Sequence, residues 1–240
     1  MVSGSQVSRR ASARSFGAVV ALAAAFSAAA SAARAESAAA LPRPGLTVEW
    51  QQKSEGDRVT RARHEITAVD GTTVAYREIT AGGVGAPMQY ETWRGLIMLK
   101  RHVPQSDAFT ESTFNVTLDV AALEKLIPLA PGRRGRFDVK GRTATRLGVQ
   151  PSSPFLTGDI VGTLSVAVER RETVTVPAGT FAVVVLRHET TLERVGMGNR
   201  TTVGARVWFA PALGWPVKKQ ALDAKRAAES EAVAVAIRQP

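Results

Sequence analysis

Val59-Thr60-Arg61-Ala62-Arg63-His64-Glu65-Ile66-Thr67-Ala68-Val69 and Thr72-Thr73-Val74-Ala75-Tyr76-Arg77-Glu78-Ile79-Thr80 flank the dipeptide Asp70-Gly71, and this stretch decides the fold class. Both arms are rich in β-branched residues and have no helical stripe. Asp-Gly supplies the positive φ angles that a two-residue turn between antiparallel strands requires. The stretch therefore predicts a β-hairpin. Upstream, Leu46-Thr47-Val48-Glu49-Trp50 alternates apolar and polar residues as a half-buried strand does. Downstream, Met88 to Lys100 reads as extended after the Gly82-Gly83-Val84-Gly85-Ala86-Pro87 loop, and further strands are expected at about 159–175, 180–192, 200–209, 215–221 and 227–238.

One helix is expected. Asp119 can cap Val120 to Ile127, with Glu124 and Lys125 outward, Leu123, Leu126 and Ile127 inward, and Pro128 as the stop. Pro131-Gly132 reads as a turn and Gln150 to Gly158 as a loop. The fold class predicted is mostly β: one curved antiparallel sheet, half-barrel or clam-like, with one or two short helices.

The first 35 residues have the order of an export signal. Arg9, Arg10 and Arg14 precede an Ala-rich apolar run from Phe16 to Ala30, and Ala33-Arg34-Ala35 offers small residues at a cleavage site. The run is too short and too weakly apolar for a bilayer span, which needs about 20 residues. Ser8-Arg9-Arg10-Ala11 resembles a twin-arginine signal, with Ser12 where that signal carries Phe. The expected organisation is a cleavable signal peptide at 1–35, a flexible lead-in at 36–44 and one β-rich periplasmic domain at 45–240. Cleavage would take four arginines and no acid, lowering the formal charge from +10 to +6. The chain has no cysteine, so no disulfide or acylated cysteine can hold or anchor it.

Motifs for chemistry are sparse. His64-Glu65 and His188-Glu189 begin like a zinc-protease motif, but positions 68 and 192 are Ala and Leu, and in a strand i and i+4 stand about 13 Å apart. His64, His102 and His188 are the only histidines, and no metal, cofactor or nucleophile-elbow pattern occurs. A weak internal echo links Arg63-His64-Glu65-Ile66-Thr67 plus Thr72 to Arg77 with Arg187-His188-Glu189-Thr190-Thr191 plus Thr201 to Arg206. Between Arg133 and Arg146 stand six basic residues and one acid, Asp138. As a strand, this segment puts Arg134, Arg136, Lys140, Arg142 and Arg146 on one face and Phe137, Val139 and Leu147 on the other. That stripe suits an anionic head group, or is a solvated face whose like charges discourage edge pairing.

Two segments near the C-terminus carry a resemblance. Val176-Pro177-Ala178-Gly179-Thr180-Phe181, followed by Trp208-Phe209-Ala210-Pro211-Ala212-Leu213-Gly214-Trp215-Pro216-Val217-Lys218, resembles motifs of exported bacterial β-domain proteins of uncharacterised function. Those proteins are similar to the lipoprotein-localisation factor fold. The resemblance spans about residues 160–220 and implies a curved sheet whose apolar concavity holds an acyl chain or a hydrophobic peptide, and it carries no catalytic residue. Here Trp215-Pro216 stands where that group has an aliphatic pair. Trp208 and Phe209 must point to opposite faces. Trp93, Trp208 and Phe209 are the expected ligand contacts. The function expected is non-enzymatic binding of a lipid or hydrophobic ligand in the envelope, without nucleic acid or membrane anchor. The alternatives are an adaptor acting through a sheet edge and a hydrolase whose site only the fold assembles.

Overall fold

The structure is a computed structural model and describes residues 40–54, 58–82, 86–104, 111–146, 150, 153–222 and 230–240. The expected signal peptide and the start of the lead-in lie outside the described residues. The elements are β1 (Thr47–Ser54), β2 (Arg58–Asp70), β3 (Thr73–Thr80), β4 (Met88–Trp93), β5 (Ile97–Val103), β6 (Ser112–Thr117), α1 (Val120–Glu124), β7 (Arg134–Arg146), β8 (Phe155–Val176), β9 (Gly179–Arg194), β10 (Arg200–Ala210), β11 (Trp215–Ala221) and β12 (Glu231–Arg238). Every strand pairs antiparallel with its neighbour in sequence, and β1 pairs with β12, from Thr47 opposite Arg238 to Lys53 opposite Glu231. The sheet is thus a closed up-and-down barrel.

This corrects the open, half-barrel sheet expected from the sequence. The difference lies in one ladder: β1 and β12 satisfy each other's backbone groups and leave no edge for a clam-like opening. Two glycines inside strands help the sheet curve round. A Cβ on Gly141 would fall 2.2 Å from the Asn115 carbonyl oxygen, and one on Gly162 would fall 1.9 Å from that of Thr191. Only a residue without a side chain permits those approaches, which bring β6, β7, β8 and β9 close together mid-strand.

The Asp70-Gly71 hairpin forms one residue out of step with the expected turn. Asp70 pairs with Thr73, so Gly71 and Thr72 make the turn, with Gly71 at φ 55°. Met88 to Lys100, read as one extended stretch, is a hairpin. Arg94 (φ 48°) and Gly95 (φ 71°) turn the chain between β4 and β5. β8 begins at Phe155, inside the segment read as a loop. Asp119 caps α1, its carboxylate accepting from the Ala122 N–H at 3.0 Å. The helix is shorter than expected, ending at Glu124, and hydrogen-bonded turns carry the chain on to Leu129.

In a meander, successive connections alternate between the two ends of the barrel. One end, here the turn end, has tight connections at 71–72, 94–96, 177–178 and 211–214, together with the α1 segment. At the opposite, loop end β1 is followed by β2, β3 by β4, β5 by β6, β7 by β8, β9 by β10 and β11 by β12. Leu123, Leu126 and Leu129 of the α1 segment pack with Trp93, Ile97, Phe137, Val184 and Phe209. A second cluster joins Val48, Trp50, Val74, Tyr76, Val185, Trp208, Trp215 and Val217. Between them β9 and β10 bury both faces, at Val183–Leu186 and Val207–Ala210. Such unbroken apolar runs mark strands covered on both sides.

Outward faces carry ion pairs. Glu65 on β2 binds Arg63 and Arg77, and Glu91 on β4 binds Lys100 at 2.9 Å. Charges in mid-wall cost a few kcal/mol each against hydrocarbon, so these faces meet water. No helix among the described residues is long and apolar enough to cross a membrane.

Candidate functional site

The side chains on the His64 face of the barrel change character along the barrel axis. Moving from the turn end towards the loop end on the same side of each strand, β2 goes from Ile66 to His64 and β3 from Val74 and Tyr76 to Glu78. Likewise β5 goes from Ile97 and Leu99 to Arg101, β9 from Leu186 to His188, and β11 from Val217 to Lys219. Apolar packing gives way to titratable groups on all five strands.

His64, Glu78 and Lys219 gather around the Trp50 and Tyr76 rings, while Arg101 is exposed. His64 lies with its ring centroid 5.6 Å from Trp50, 4.8 Å from Tyr76 and 6.1 Å from Trp215. Trp215 also meets Tyr76 edge-on at 5.1 Å. Since β11 is separated from β2 and β3 by β12 and β1, those contacts can only cross the interior. Tyr76 stacks on Tyr90 at 4.7 Å. Lys219 Nζ sits 5.1 Å over the Trp50 ring, a cation–π geometry.

The electrostatics follow from burial. His64 Nε2 lies 2.9 Å from a Glu78 carboxylate oxygen. Burial raises the Glu78 carboxyl, but the His64 hydrogen bond and the charges of His64, Lys219 and Arg101 outweigh it and hold Glu78 below its ordinary value. Burial likewise lowers His64, against the opposing pull of Glu78. Glu78 is thus ionised beside a neutral imidazole, so Nε2 carries the proton and donates. His64 Nδ1 is left as a buried acceptor with no partner. Burial, aided by the Lys219 charge, pushes His188 down to about 4, and its Nε2 is also unpartnered. Burial lowers Lys219. The Trp50 and Trp215 indole N–H groups are buried without acceptors as well. Buried polar atoms are nearly always paired, so these four unpartnered atoms stand out among the described residues.

None of these residues was singled out as a ligand contact from the sequence. The one signal was the echo between Arg63-His64-Glu65 and Arg187-His188-Glu189, whose two histidines both stand within electrostatic reach of Lys219.

The structure places the expected ligand contacts in close packing. Trp93 is 1% exposed, and its indole donates to Glu124 at 2.7 Å. Glu124 is thereby turned towards the barrel rather than outward, and it also accepts from Arg94 at 3.0 Å. Burial raises Glu124, yet the bonds from Arg94 and Trp93 bring it below its ordinary value. Trp208 and Phe209 take opposite faces as expected. Phe209 joins the Trp93 cluster, and Trp208 joins the other and donates to Glu172.

Of the basic stripe, Arg134, Arg136, Lys140 and Arg142 are exposed on the outer face of β7. Arg134 and Arg136 border a shallow cleft of about 480 Å³ with Ser165, Ala167, Arg187 and Glu189. Arg142 stands 3.8 Å from Asp159. Arg146 is drawn to Glu111 at 2.6 Å and lies 4.4 Å over the Phe155 ring. Among the described residues no group of three or more His, Asp or Glu could hold a metal ion.

No protein-family model matches the chain, and no curated protein matches it. Three solved structures are similar in fold. A candidate exported protein with a YmcC-like fold from Bacteroides fragilis shares 14% identity, with a TM-score of 0.46 over 83% of this chain and 98% of that one. The hypothetical lipoprotein YmcC of Escherichia coli shares 11%, with a TM-score of 0.43 over 95% and 98%. A candidate lipoprotein of Parabacteroides distasonis shares 9%, with a TM-score of 0.38 over 82% and 97%. Likeness at this level carries no inference about what the chain binds.

Proposed function

We propose that this chain is an exported, non-enzymatic binding domain of the cell envelope that takes an amphiphilic molecule into its barrel beside the rings of Trp50, His64, Tyr76 and Trp215. The observation that carries this reading is the set of buried, unpartnered polar ring atoms, Trp50 Nε1, His64 Nδ1 and Trp215 Nε1, gathered with Tyr76 around one aromatic wall. Aromatic faces accept an apolar body, at about 0.8 kcal/mol per buried methylene, while the orphaned donors and the acceptor address a polar head.

Binding fits the site better than catalysis. The partners of His64 and His102 are the carboxylates of Glu78 and Glu111, and among the described residues no serine or threonine hydroxyl is hydrogen-bonded to a histidine. An adaptor acting through a sheet edge is disfavoured, because the β1–β12 ladder removes the edge. Export rests on the arginine-led apolar segment at 1–35.

The test is mass spectrometry of organic extracts of the protein purified from the periplasm. An amphiphile at close to one per chain is expected, reduced in Trp50→Ala. Extracts free of any amphiphile, with no binding of added lipid probes, would sink the reading. N-terminal sequencing of that material should begin near Glu36, and a start at Met1 would refute export with cleavage.

A further inference from the structure

We propose that Lys219 is the anchor for the ligand's charged group and that the ligand is a long-chain amphiphile bearing a single carboxylate. This deepens the binding reading above and rests on it. The inference starts from two adjacent lysines on β11. Lys218 faces one side of the strand, where Glu231 meets it at 2.7 Å and Trp208 lies 5.0 Å below. Lys219 faces the other side, held over Trp50, and among the described residues it makes no ion pair or hydrogen bond. The β-bulge opposite Trp208 and Phe209, which takes up Val217, sets which side each lysine takes.

An ammonium drawn out of water against an indole face, with no oxygen to bind, is in an unfavourable position unless something anionic joins it. Glu78 is the nearest acid to act on it, but that carboxylate is engaged by His64 and does not reach ion-pair distance of Lys219. His64 and His188, which also face this region, are neutral. Besides His64, Lys219 and the exposed Arg101 act electrostatically on Glu78. Among the described residues Lys219 has no oxygen partner, and a carboxylate supplies one. A carboxylate beside Lys219 can also accept from the orphaned Trp50 N–H, while Tyr76 and Trp215 offer apolar walls to the chain behind it.

The test compares cis-parinaric acid with its methyl ester, by fluorescence titration of the protein recovered from the periplasm and stripped of bound material. The wild type should bind the acid at least tenfold more tightly than the ester. Lys219→Met should abolish that difference by weakening the acid's affinity at least tenfold, and Lys219→Arg, which keeps the charge, should retain it. Circular dichroism melting of both variants checks that they fold. A preference for the acid that survives in Lys219→Met overturns the anchor. So does equal binding of acid and ester by the wild type, which leaves the barrel a binder of amphiphiles. Binding of neither probe by the wild type removes the binding reading and the anchor with it.

Discussion

The two ends of the barrel are built on opposite principles. At the turn end the interior is filled mainly by apolar side chains, and Glu124 binds both Trp93 and Arg94, while the Trp215 indole N–H is the polar atom left without an acceptor there among the described residues. Towards the loop end the same strands carry His64, Glu78, Arg101, His188 and Lys219, and several polar atoms stay unpaired. Under the proposed binding role, stability and recognition are separated along the axis. One half holds the fold, and the other bears polar groups that cost stability and that only a ligand or bound water can satisfy.

The sharpest way to break this comparison is to empty the turn end. Phe209→Ala removes a side chain with 0% exposure and should cost about 3–5 kcal/mol in denaturant unfolding, whether or not ligand is present. A loss of under 1 kcal/mol would mean that the cluster is not the structural half. Next comes acid. The native pKa of His188, about 4, lies below its unfolded value near 6.5, so the native state disfavours the extra proton. The stability tied to this group is fully present above pH 6.5 and falls away as pH drops towards 4, by about 3 kcal/mol in all. His64, shifted in the same direction, adds to the loss. Unfolding measured from pH 7.5 to 4 should show this slope, and His188→Leu should flatten most of it. An unchanged slope in the variant would place the acid sensitivity elsewhere.

Smaller effects sharpen the contrast. Glu124→Ala strands the Trp93 indole and releases Arg94, and should cost about 2 kcal/mol with little change in ligand affinity. Lys219→Met should do the reverse, raising the unfolding free energy by up to about 1 kcal/mol while weakening binding, because it removes a partly desolvated charge that the proposed ligand would engage. A destabilised Lys219→Met would show that the lysine is structural. Arg136→Ser, on the outer cleft, should shift stability by less than about 0.5 kcal/mol and leave amphiphile binding intact.

What could be read from the sequence was local. Asp70-Gly71 announced a hairpin, Asp119 a capped turn, and Phe137 with Val139 the inward side of β7, because each signal spans a few residues. Closure was illegible, since no short-range pattern specifies that Thr47 will lie beside Arg238. Gly141 and Gly162, whose bare α-carbons allow the tight curvature, stood unremarked inside plain strand patterns. The Arg94-Gly95 turn was passed over because apolar and β-branched residues continue on both sides of it. The candidate site was hidden for a similar reason: His64, Glu78, His188 and Lys219 come from β2, β3, β9 and β11, and only the winding of the barrel assembles them. Repetition of Arg-His-Glu hinted at a relation between two of those strands without revealing that both histidines would approach one lysine.

The single ladder between β1 and β12 also governs how the molecule is made. All other pairings are hairpins or neighbouring strands and can form as the chain emerges, whereas this one joins segments roughly 190 residues apart, an entropy cost of about 5 kcal/mol by loop-closure scaling. Until β12 arrives, β1 and β11 are open templates for foreign strands. The last eight-residue strand is thus a latch, and the interval before it engages is when the chain is most exposed to aggregation and has most to gain from a chaperone.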